Sequence, residues 1–160
     1  MTAPAYGSSV TKTRLQSWLE AGALRRHRAT RAEVADVLAV ADRDITDAQV
    51  TQLSLDRRFA TAYGAALELA TIVLSASGFR VVAQRGHHAV TWQAVPELMG
   101  PEVSGTAVYF DSCRALRNRS DYDRAGVVSA SDVGEVIREA QAFRTLVLDW
   151  LVSEHPGLVP

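Results

Sequence analysis

The sequence predicts an all-α fold, an antiparallel bundle of four to five helices, on three observations. Apolar residues recur at three- and four-residue spacing through five stretches. Helix-start and helix-stop residues bracket most of those stretches. The connections between them are short, which makes neighbouring helices pack side by side.

Residues Met1–Val10 hold Pro, Gly and Ser without periodicity and are expected to fray. From Thr11 a short helix sets Leu15, Trp18 and Leu19 on one face and stops near Gly22. A basic run follows, Arg25, Arg26, His27, Arg28 and Arg31, and Thr30 with Glu33 has the spacing of a capping box. The helix that starts there carries Val34, Val37, Leu38 and Ala41 on one face, reaches about Asp42, and keeps its pattern toward Val50.

The strongest stripe is Phe59, Ala62, Tyr63, Ala66, Leu69, Ala70, Val73 and Leu74, which predicts a central core helix from about Asp56 to Ser77. Gly64 lowers its helix propensity by roughly 1 kcal/mol relative to Ala, so a tight helix contact is expected there. Gly78 ends the helix. Phe79–Gln84 reads as a loop, because an isolated extended piece has nothing to pair with. Gly86-His87-His88 opens a helix through Trp92, Val95 and Leu98 that Pro96 disturbs and Gly100-Pro101 ends. A further helix runs from Val103 through Ala107, Phe110, Cys113 and Leu116. Ser129 to Asp132 then starts the last helix, which carries Val133, Val136, Ile137, Ala140, Phe143, Val147, Trp150 and Leu151 before Pro156 and Gly157. The expected helices are 30–43, 56–77, 88–99, 103–122 and 130–154. They divide the chain into an N-terminal segment 1–29, a bundle 30–154 and a tail 155–160.

Bulk properties narrow the class. With 48% hydrophobic and 22% charged residues the chain has the balance of a globular domain rather than of a disordered or rod-like one. A formal net charge of -1 excludes a global positive field, so any nucleic-acid contact has to be local. Lys12 is the only lysine, and the cationic surface is otherwise arginine. Cys113 is the only cysteine, which excludes an intrachain disulfide and a cysteine-based zinc cluster, and it reads as a small buried hydrophobe. No basic start followed by an apolar run is found, and no stretch reads as a membrane span, so a cytoplasmic location without membrane contact is expected. No cofactor is expected: phosphate loops, nucleophile elbows and paired-carboxylate metal motifs are missing.

The most informative stretch is Arg117-Asn118-Arg119-Ser120-Asp121-Tyr122-Asp123. On a continuing helix Arg114, Asn118 and Tyr122 follow at four-residue intervals and Arg117 pairs with Asp121. Two readings stand for Arg117 and Asn118: a phosphate-facing site, or structural caps and bridges at a dimer seam. His87 and His88 are adjacent, so they point in different directions and do not form a one-face metal pair. One of them can approach Arg117 across the bundle as a base, or both can cap and pack. The Arg25–Arg31 run reads either as a solvated face or as a local field for RNA phosphate. Trp18, Trp92 and Trp150 sit on apolar stripes and read as packing residues.

In order along the chain, the basic helix-starting segment, Ala41-Asp42-Arg43-Asp44, the helix Phe59–Ala70, Gly86-His87-His88 and the stretch Arg117–Asp123 resemble bacterial HEPN-domain proteins over about residues 30–153. The resemblance implies a helical bundle that dimerises, found in toxin–antitoxin, phage-defence or RNA-processing systems and often encoded near a nucleotidyltransferase. It also implies a site: active HEPN ribonucleases place a His after four to six residues beyond an Arg. Counting from Arg117, this chain has Tyr122, Asp123 and Arg124 at those positions. Metal-independent RNA cleavage needs one group to take the ribose 2′-hydroxyl proton and another to stabilise the phosphorane. Arg can serve the second role, but Tyr, with a pKa of about 10, is a poor base beside His at about 6.5.

The expectation is therefore an RNA-associated, homodimeric protein with Arg117, Asn118, Tyr122, His87 and His88 as candidate catalytic residues and Arg114, Arg117 and Arg119 as phosphate contacts. Its alternative is a noncatalytic interaction module that binds a protein partner such as a nucleotidyltransferase or an antitoxin.

Overall fold

The computed structural model describes residues 13–84, 86–120 and 126–160. The expected fraying of residues 1–10 and the role of Tyr122, with Asp121 and Asp123, lie outside the described residues. Among the described residues six α-helices and a two-stranded ribbon follow in the order α1 (Arg14–Glu20), β1 (Leu24–Arg26), α2 (Arg31–Asp47), α3 (Leu55–Ala76), β2 (Phe79–Val81), α4 (His87–Met99), α5 (Ser104–Asn118) and α6 (Ala130–Glu154). The all-α bundle holds, with the ribbon as an addition.

Local chemistry sets the helix starts. Thr13 and Gln16 form a capping box at α1, the Thr30 hydroxyl accepts the Glu33 N–H at α2, and Ser54 accepts the Arg57 N–H at α3. Ser129 and Asp132 form a second capping box at α6. α2 runs past Asp42 to Asp47, and its end is fastened by Arg58 Nε, which donates to the Ala48 carbonyl at 2.8 Å. α4 continues through Pro96 to Met99.

α3 is the centre of the bundle and packs against α2, α4, α5 and α6. Phe59, Ala62, Tyr63, Ala66, Leu69, Ala70 and Val73 are all buried on it. One point of the core joins four helices. Trp92 (α4) stacks on Phe110 (α5) with centroids 4.9 Å apart, Phe143 (α6) lies 6.0 Å from Trp92 and 5.6 Å from Phe110, and the Trp92 indole N–H donates to the Tyr63 hydroxyl (α3) at 3.1 Å. Aromatic groups of this size carry most of a core's transfer free energy, and the buried indole and phenol satisfy each other. On the outside, Arg144 of α6 grips the Asp42 carboxylate of α2 with both Nε and Nη2, the latter at 3.1 Å.

Two expectations are corrected. Phe79–Val81 is a strand: it pairs antiparallel with Leu24–Arg26, in the register Leu24 with Val81, Arg25 with Arg80 and Arg26 with Phe79. The partner was hidden inside the basic run, far away in sequence, where no local turn signal marks it. Gly64 is not at a tight contact, since a Cβ built there meets nothing within 4 Å. Gly64→Ala is therefore expected to raise unfolding free energy by about 0.5–1 kcal/mol, measured by urea denaturation, because it restores helix propensity without a clash. Finally, α3 is long and apolar enough to cross a membrane by length and composition, yet 61% of its most apolar window is buried in the bundle, as expected of a core helix.

Candidate functional site

Tyr63 organises the site. It is fully buried on α3, and around it α4 and α5 bring their polar ends together. α4 begins at Gly86, whose φ of 82° is left-handed backbone that suits glycine and lets the chain turn directly into the two histidines. His87 Nδ1 lies 2.7 Å from the Gln84 carbonyl; the carbonyl only accepts, so Nδ1 carries the hydrogen. The His88 ring lies edge-on to His87 at 4.2 Å between centroids and 6.2 Å from the Tyr63 ring. From the other side α5 presents Arg114 and Arg117 one turn apart. The Arg117 guanidinium sits over the Tyr63 ring at 5.8 Å, and Arg114 Nε donates to Asp111 at 2.9 Å.

Electrostatics follow from this crowding. Burial first, then the charges of His87, Arg117 and Arg114, hold the His88 imidazole down at about 4, so it is neutral at pH 7. Burial pushes the Tyr63 hydroxyl up to about 12 against the Trp92 hydrogen bond and the Arg117 and Arg114 charges, so it stays protonated. The site is thus a neutral imidazole and a neutral phenol beside two guanidinium groups.

A cavity of about 170 Å³ adjoins it, lined by His87, His88 and Thr91 of α4, by Leu67 and Ser75 of α3 and by Phe79–Val81 of β2 among others. The segment that leads into α6 is tied to the start of α3. Asp56, at the start of α3, accepts the Gly126 N–H at 3.0 Å; that bond, the Ser120 hydroxyl and the Val128 backbone outweigh burial and hold its carboxyl below the usual range.

Of the residues expected from sequence, the structure gathers Arg114, Arg117, His87 and His88 about Tyr63. Asn118 ends α5 half-buried and Arg119 is exposed in the helical turn beyond, neither of them part of this cluster, and Tyr122 lies outside the described residues. Tyr63 and Trp92 were legible only as core positions. Their polar atoms became site components through tertiary contact, although an aromatic with a polar tip on a core stripe is a signal to look for its partner. Cys113 is a buried hydrophobe: burial pushes its thiol up to about 11 despite the hydrogen bond with Tyr109. Among the described residues no group of three or more His, Cys, Asp or Glu side chains is placed to hold a metal ion.

The family model for SAV_6107-like HEPN matches residues 47–148. The chain belongs to the HEPN family. The match takes in α3, α4 and α5 whole, so every group around Tyr63 lies inside the HEPN region, whereas β1 and the Arg25–Arg31 run lie outside it. No curated protein and no solved structure matches this HEPN chain.

Proposed function

We propose that this HEPN domain acts on RNA, as a metal-independent endoribonuclease in which His88 stands in for the histidine missing after Arg117. One observation carries the reading: α4 and α5 set a neutral imidazole and a guanidinium on the same buried tyrosine, close enough that Arg117 adds to burial and His87 in lowering the His88 pKa. His88 takes the proton of a ribose 2′-hydroxyl and the 2′-oxygen bonds to phosphorus. The 5′-oxygen then leaves and is protonated by water, which yields a 2′,3′-cyclic phosphate and a 5′-hydroxyl end. Arg117, with Arg114, faces the charge that builds on the phosphorane. Bound phosphodiester also offsets the cationic charges that depress His88, which moves its basicity toward the working range.

In this reading the protein works as a cytoplasmic homodimer in a toxin–antitoxin, defence or stress module, with an antitoxin or a nucleotidyltransferase as partner. A second reading, the noncatalytic interaction module, is favoured by Tyr122 at the usual histidine position and by a His88 basicity far below neutral. Labelled RNAs incubated in chelator separate the two. Wild type is expected to cleave, and Arg117→Ala to slow cleavage about 10²–10³-fold while keeping the helical circular dichroism. If folded, dimeric wild type leaves diverse RNAs intact, the interaction module is the correct reading.

A further inference from the structure

The β1–β2 ribbon carries an arrangement that folding alone disfavours. Arg25 and Arg80 are directly opposite each other in its register, a like-charge cross-strand pair, which is destabilising. Arg31 is the first residue of α2, at the helix end where the backbone dipole repels a cation. Glu33 binds Arg80 at 3.0 Å and His27 at 2.8 Å; burial opposes its ionisation, but the His27 hydrogen bond and the His27 and Arg80 charges outweigh that and keep it a carboxylate. Arg25, Arg28 and Arg31 are exposed and make no ion pair among the described residues. A chain of net charge -1 therefore concentrates uncompensated arginine at this one place.

The same ribbon borders the site. β2 supplies Phe79, Arg80 and Val81 to the cavity whose other wall holds His87 and His88. We propose that Arg25, Arg28, Arg31 and Arg80 form a phosphate-binding track that grips the backbone of single-stranded RNA and leads it along the cavity to His88. The proposal rests on the reading of His88 and Arg117 as an RNA site. Guanidinium forks match phosphate oxygens in pairs, and four of them on a ribbon, the loop after it and a helix start give a run of contacts without base preference. A polyanion in this position also removes the repulsion between Arg25 and Arg80, so occupancy and ribbon stability reinforce each other. Of the track, Arg25, Arg28 and Arg31 lie outside the HEPN match and Arg80 lies inside it.

Fluorescence anisotropy with a 2′-O-methyl RNA of about 12 nucleotides, which binds but is not cleaved, tests the track across a salt series. The Arg25→Ala/Arg28→Ala/Arg31→Ala variant is expected to bind about 10–100-fold more weakly, with a salt slope reduced by about 0.7 for each phosphate that is no longer neutralised. Arg25→Ala alone is expected to weaken binding while its melting temperature stays level or rises, which separates the effect from damage to the fold. Arg25→Lys is expected to recover much of the binding. If the triple variant binds like wild type while Arg117→Ala binds weakly, the track is wrong and the His88–Arg117 reading stands. If wild type binds no RNA, both fall. If polyglutamate competes as well as RNA, the surface is a site for acidic protein and the RNA track is overturned.

Discussion

Trp92→Ala is expected to lower the unfolding free energy by about 3–5 kcal/mol, near the upper end of single-substitution effects. The indole is buried, stacks on Phe110, touches Phe143 and gives its N–H to Tyr63, so truncation leaves a cavity among four helices and strips the buried phenol of its donor. For a domain of this size such a loss shifts the melting temperature by about 6–20 °C. Trp18 and Trp150 are only half-buried at the edge of the core, and alanine there should cost about 1–2 kcal/mol. Thermal and urea unfolding of the three variants give the ranking. A cost for Trp92→Ala no larger than for Trp18→Ala would mean that the four helices do not meet at this residue.

His88→Ala is expected to slow metal-free RNA cleavage about 10²–10⁴-fold, the usual worth of a positioned general base. In the proposed mechanism His88 works only when unprotonated. With its free-protein value at about 4, the wild-type rate for the free enzyme should rise as pH increases through about 4 and then level off toward neutrality. A base with the ordinary value would place that limb near 6.5. Stability carries the same sign. Between the folded value of about 4 and the unfolded value of about 6.5 the unfolded chain binds the extra proton, so the contribution is fully present above about 6.5 and lost as pH falls toward 4. Because the ring is only half-buried, solvent screening reduces this to about 1–2 kcal/mol. His88→Gln should flatten this part of the stability profile, read as melting temperature against pH.

Helix positions were legible because each long helix has a stripe, a cap or both. Thr30, Ser129 and the Phe59–Leu74 stripe mark elements that end within a few residues of expectation, since capping and amphipathicity are local properties. The ribbon was not legible. Leu24–Arg26 is too short and too charged to read as a strand until Phe79–Val81 is seen beside it. Gly64 misled for a related reason: composition shows that a small residue is present but not whether a neighbour fills the space. At the site, the arginines of α5 stood out by spacing, and His88 was one of two candidates. Its choice over His87 depends on α4 crossing close to α5 over Tyr63, a tertiary fact. Sequence periodicity places Tyr63 in the core and says nothing about which ring faces it.

The shared site of His88 and Arg117 is tested most directly by titrating the His88 imidazole by NMR, in wild type, in Arg117→Ala, and in wild type saturated with the uncleavable RNA. A value of about 4 in the free protein, higher in Arg117→Ala and higher again with RNA bound, is the predicted result. A His88 that titrates near 6.5 in all three samples would show that Arg117 and His88 do not act on a common phosphate.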